Sequence, residues 1–188
     1  MFAKRGRAAI RLGMWRLDEA GTALIEAALV FPILFILFFG VSELCEGFIA
    51  SRRVEAAAFT AADLVARLQT VSSADVTALK SIVDETMKPF PVASVGLVVT
   101  SVVVDQGALT VAWSEARGPP GVSAVALGPL GTALPLPDGL TLPNSSTIVA
   151  RVTYTFRSTL STLIVGDVRL QAEAYQQPRF VQQIARSD

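Results

Sequence analysis

The sequence predicts an α+β protein: a long N-terminal transmembrane helix continuing outward, a short second helix, and a roughly four-stranded antiparallel sheet. Three observations carry this. An apolar run from Ala23 to Val41, carrying the single acid Glu26, is 19 residues long. Beyond it, apolar residues recur at helical spacing to about Leu68, and again from Val76 to Met87. From Ser94 onward the period changes, and Val-rich stretches alternate with turn residues.

The chain has 188 residues, a mean hydropathy of +0.51 and no net charge, but its charge is unevenly placed. Lys4, Arg5, Arg7, Arg11 and Arg16 outnumber Asp18 and Glu19 before Gly21, leaving the remainder acidic. No basic surface that would suit nucleic acid follows. Histidine is absent and Cys45 is the sole cysteine, which excludes a Ser-His-Asp triad, a Cys-His pair, His-ligated zinc and an internal disulfide. No serine sits in a Gly-x-Ser-x-Gly setting. No metal, cofactor or enzymatic activity is expected.

Three regions follow: a basic leader over 1–21, a helix with its extension over 22–70, and an outer α+β domain over 71–188. In a secretory signal the apolar region precedes the cleavage site. Here the small residue, Gly21, comes first, so cleavage after it would remove only the charged leader and keep the helix. The apolar run is long enough to cross ~30 Å of hydrocarbon. Its five leading bases, set against Arg52 and Arg53 among Glu43, Glu46 and Glu55, place the N-terminus in the cytoplasm.

Glu26 is out of place in such a run, because a charge at the centre of a span costs roughly 2.5–3.5 kcal/mol. Two readings stand. Near the headgroups, in the first turn, the helix dipole favours the carboxylate. Alternatively, cleavage after Gly21 gives Thr22 a free α-amine one turn from Glu26, a pair that a neighbouring subunit could complete. Pro32 kinks a membrane helix in a way that neighbours accommodate.

Past the span, Val54, Ala58, Ala61, Val65 and Leu68 form a stripe that packs on the protein's own domain or on another helix. Asp63 and Arg67 suit an i, i+4 ion pair. Ser72 and Asp75 signal a second helix through Val76, Leu79, Val83 and Met87, ended by Lys88-Pro89. Asp84 and Glu85 within it point apart and are not a catalytic pair. Ser94 to Val104 and Ala108 to Ser114 form a hairpin about Asp105-Gln106-Gly107, with Leu109, Val111 and Trp113 alternating to one face. Residues 115–145, with five Gly and six Pro, form a loop. Its Val122, Val125, Leu127, Leu130, Leu134, Leu136, Leu140 and Leu142 lie across the sheet or make a contact surface. Strands return at Thr147 to Arg157 and Val168 to Tyr175, joined by an apolar connection over 158–166.

The leader, Gly21-Thr22-Ala23-Leu24-Ile25-Glu26 and the apolar helix together resemble the processing site of type IV prepilins. The string from Gly21 through Glu26-Ala-Ala-Leu-Val-Phe-Pro32, ending Gly40-Val41-Ser42-Glu43-Leu44, is similar to the TadE-like family, the minor pilins or pseudopilins of the tight-adherence (Tad) pilus. Ala27 follows Glu26 where pilins of this system often carry Tyr or Phe. The Tyr154-x-Phe156 strand and Pro178-Arg179 bear a looser similarity.

The resemblance implies a pilin-like plan. Gly21 would be the last leader residue and Thr22 the mature N-terminus. Glu26 would register the subunit, and Phe31, Pro32 and Gly40 would pack within the membrane. The implied partners are the major pilin, other minor pilins, a prepilin peptidase and the inner-membrane assembly platform. The outer domain would be periplasmic, or extracellular in a pilus. The alternative is a membrane-anchored periplasmic binding module that enters no filament and uses loop 115–145 as its contact surface.

Overall fold

Forty-eight residues, Glu19–Ala66, form one helix, α1. The computed structural model describes residues 19–105, 107–130, 136–137, 139–140, 145–157 and 166–187. The leader to residue 18, Gln106 of the first turn, Leu134, Leu142 and most of the 158–166 connection lie outside the described residues. The chain divides into two units, Met1–Ser42 and Glu43–Asp188, and α1 contributes to both.

In the first unit the large apolar side chains of Leu24 through Val41 are exposed, Leu29 at 73% and Phe38 at 68%. Such a surface is stable in hydrocarbon and costly in water. The helix is long and apolar enough to cross a membrane. Pro32 lies inside it and cannot donate to the carbonyl one turn back.

The second unit is built on the rest of α1. Ala50, Val54, Ala57, Ala58, Ala61, Ala62, Val65 and Ala66 are buried. Small side chains let the helix approach the sheet closely, and the stripe packs on the protein's own domain. A Cβ on Gly47 would stand 3.7 Å from the Phe156 ring.

After β1 (Thr70–Val71) comes α2 (Ser73–Met87), held by a capping box. The Ser72 amide donates to Asp75 Oδ2 at 2.9 Å, and the Asp75 amide donates to Ser72 Oγ at 3.2 Å. The Ser72 amide, and the Ser72 hydroxyl that donates to the same Oδ2 at 2.7 Å, hold the Asp75 carboxyl below its ordinary value. At the other end, Arg53 of α1 donates to the Thr86 carbonyl at 3.0 Å, where the helix dipole favours a cation. Val76, Leu79, Val83 and Met87 are buried, as their spacing requires. Asp84 pairs with Lys80 at 2.5 Å and Glu85 with Lys88 at 2.7 Å, so the adjacent acids do separate.

A short 3₁₀ turn (Val92–Ser94) leads to β2 (Val95–Asp105) and β3 (Ala108–Arg117), then β4 (Gly128–Pro129), β5 (Ser146–Phe156) and β6 (Val168–Gln176). The main sheet has five strands in the order β4-β3-β2-β5-β6, with all its pairings antiparallel. A separate two-stranded sheet joins β1 to β7 (Ala185–Arg186) in parallel.

The fifth strand departs from the four expected. Residues 115–117 continue β3, and Gly128–Pro129 within the loop pairs with Thr110 and Val111. One face of the sheet, with Leu97, Val99, Ile148, Ala150, Val152, Tyr154 and Phe156, packs with α1 and α2. The loop crosses the other face, burying Leu130 with Val102, Val111 and Val149. Gly118 (φ +151) allows the loop to leave there, since a Cβ would lie 2.7 Å from the Gly96 Cα.

A second departure concerns β3. Its register against β2 shifts between Ser101 and Val102, so Trp113 pairs with Ser101 but Val111 with Val102. The bulge sends Val111 to the loop face and Trp113 to the helix face, although the sequence alternation assigned them to one face. Trp113 Nε1–H then donates to the Ile184 carbonyl at 2.8 Å.

Candidate functional site

The candidate processing residues sit near the N-terminal end of the described part of α1. Among the described residues the helix already includes Glu19, earlier than the expected residue 22, so the Gly21–Thr22 bond falls within it. Helix ends differ by such amounts between criteria. Thr22 and Glu26, four residues apart, share a face, and both are exposed. Leu29, Val30 and Ile33, which follow on that side, are exposed apolar residues, so the carboxylate sits on an apolar surface.

Farther along, Phe31 meets Phe35 at 5.1 Å between ring centroids, and Phe35 meets Phe39 at 5.9 Å. The phenylalanines, four apart, make a continuous ridge, and that spacing is its signal in the sequence. Around Gly40 nothing lies within 4 Å of where a Cβ would stand. Gly21, Thr22, Glu26, Phe31, Pro32 and Gly40 thus all belong to one helix, strung along it rather than gathered in a pocket.

The polar clusters of the outer unit came from the fold. Glu115 of β3 accepts from Ser73 Oγ at 2.8 Å and pairs with Arg117 and Arg186. Burial pushes its carboxyl up, but the hydrogen bonds from Arg186 and Ser73 and the charges of both arginines outweigh this and hold it below the ordinary value. Asp63 pairs with Arg67 at 2.6 Å, as its spacing implied, and also with Arg179. The Arg179 amide donates to the Ala66 carbonyl at 2.9 Å, tying the C-terminal segment to the end of α1.

On the loop face, Glu173 accepts from Arg151 at 2.7 Å and from Tyr175 Oη at 2.6 Å. Burial first, then the Glu173 hydrogen bond and charge, push the Tyr175 hydroxyl up to about 12. These arginines join strands and helices and neutralise the carboxylates beside them. Among the described residues no group of three His, Cys, Asp or Glu could hold a metal ion.

The fold and the helix define a class: an α+β protein whose N-terminal helix fits a single-pass membrane anchor. Residues 21–63 match the family model described as TadE-like protein. That bears out, over this segment, the resemblance to the TadE-like family seen in the sequence. The match begins at Gly21 and ends within α1, so it covers the helix and leaves the outer unit beyond it. No curated protein and no solved structure matches the chain.

Proposed function

We propose that the protein is a minor pilin or pseudopilin that takes part in assembling a Tad-type pilus. The observation that carries this is the order of parts: a basic leader, Gly21, Glu26 five residues on, and an exposed apolar helix, with the TadE-like match opening at residue 21. In this reading a prepilin peptidase cuts after Gly21 on the cytoplasmic side and leaves Thr22 as the mature N-terminus. The helix anchors the protein in the bacterial inner membrane with the outer unit in the periplasm, until it is drawn into a pilus or its initiating complex.

Glu26 then pairs with an α-amine, its own or a neighbour's, because an ionised carboxylate in a spanning helix is stabilised by an opposite charge. Phe31, Pro32 and Gly40 meet neighbouring helices, with Gly40 permitting the closest approach. The major pilin, other minor pilins and the inner-membrane platform supply those neighbours.

The test is the N-terminal residue of the full-length protein recovered from membranes, with and without the prepilin peptidase. Thr22 is expected only when the peptidase is present; Met1 in both samples would sink the reading. Glu26→Ala should leave cleavage intact and reduce piliation, and normal pili in that variant would return Glu26 to a tolerated acid near the headgroups.

A further inference from the structure

The two edges of the main sheet are finished differently. At the β3 edge, β4 is only two residues long and ends in Pro129, and the Leu130 amide donates to the Leu109 carbonyl at 2.8 Å. A short strand carrying proline is a common guard against unwanted pairing. Farther along β3, Glu115, Arg117 and Arg186 crowd the strand with charge.

The β6 edge has neither the short strand nor the proline. Its nine residues contain neither proline nor lysine, and their register with β5 runs from Phe156↔Val168 to Ile148↔Gln176 without a bulge. Among the described residues no strand borders its far side. Alternate backbone N–H and C=O groups of an edge strand point outward, ready to pair.

The side chains indicate what would pair there. On the helix face, Val168, Leu170, Ala172 and Ala174 pack against the core yet are only partly buried. On the loop face, Glu173 already receives Arg151, Tyr175 and Gln171. Arg169 is exposed, stands opposite Thr155, and has no ion-pair partner among the described residues.

We propose that β6 is an acceptor edge for an extended segment of another polypeptide. That segment would alternate apolar with polar residues and carry an acidic side chain opposite Arg169. Its apolar residues would complete the burial of Leu170 and Ala172, and its acid would answer the one uncompensated charge on the strand. A second copy fits less well. Antiparallel self-pairing offers Arg169 only the occupied Glu173, and the opposite edge of the sheet is closed by β4.

The test uses the full-length protein in detergent and two synthetic nine-residue peptides. Both alternate valine with threonine; one has glutamate at its central polar position and the other lysine. Amide hydrogen exchange at the outward-facing amides of 168–176, those that do not bond to β5, should be fast in the protein alone and slow with the glutamate peptide. The lysine peptide should bind roughly fivefold more weakly, the scale of a cross-strand charge pair. Arg169→Glu should reverse that preference while exchange in β2 stays unchanged, which separates a lost contact from a lost fold. Protection of those outward amides before any peptide is added, protection by neither peptide, or equal binding without reversal would each overturn the proposal.

Discussion

The two parts of α1 belong to one helix but obey opposite rules of side-chain size. Before Ser42 the helix carries Leu, Ile and Phe, exposed at 49–73% from Leu24 to Phe39 with Val30 at 41%. After Glu43 its inward positions are Ala50, Val54, Ala57, Ala58, Ala61 and Ala62, all fully buried. Large side chains maximise transfer into hydrocarbon, where no sheet has to come close. Small ones bring the backbone near a sheet, where each added methylene would have to be accommodated. Apolar content alone therefore does not say where a helical residue goes; its size does. Even in the second part Phe48 and Phe59 stay exposed, at 61% and 57%, on the face turned from the sheet.

The comparison is best broken by one charge placed in each part. Ala61→Asp buries a carboxylate without a partner and should cost the outer unit about 3–5 kcal/mol, read as a shifted urea midpoint followed by Trp113 fluorescence, with membrane retention unchanged. Leu34→Asp should do the reverse. It should cost about 3 kcal/mol of insertion, read as loss from the membrane fraction, while the outer unit still resists protease. If both substitutions gave the same phenotype, the division of α1 between two environments would be wrong.

A smaller effect concerns acid. Glu115 has its carboxyl lowered in the folded state, so the stability it contributes is present above its ordinary value of 4.5 and is lost as pH falls through the lowered one. Urea midpoints of the outer unit should therefore drop on acidification below that value. Glu115→Gln should flatten that part of the profile, at the cost of weaker pairing with Arg117 and Arg186. An unchanged pH profile in Glu115→Gln would show that the cluster does not couple protonation to folding.

What could be read in advance depended on how local each signal was. The capping pair Ser72 and Asp75, the Asp63–Arg67 ion pair and the buried face of α2 follow from spacings of three and four, and all appear as expected. So does β5, where Val152, Tyr154 and Phe156 turn inward. The candidate processing and pairing residues rest on an equally local signal, since Gly21 and Glu26 lie within one short stretch. Trp113 does not share a face with Val111, as plain alternation implied, because alternation assumes an unbroken ladder and a single bulged residue inverts everything beyond it. The C-terminal segment could not be anticipated: Arg179 meets Asp63, and Ser187 N–H reaches the Val71 carbonyl at 3.1 Å, across more than a hundred residues of sequence.

By itself the sequence determined that this protein has a span-length apolar helix headed by glycine and a lone carboxylate, followed by a second helix and antiparallel strands. Hydropathy, caps and periodicity act over a few residues, so neighbours in sequence suffice to reveal them. Only the tertiary structure decided that the Pro- and Gly-rich stretch supplies β4 at one sheet edge, that Glu115 gathers two arginines, and that among the described residues no strand pairs with the outer side of β6. Those outcomes depend on which distant backbone groups and charges meet once the core has packed, and no local pattern in the chain encodes that meeting.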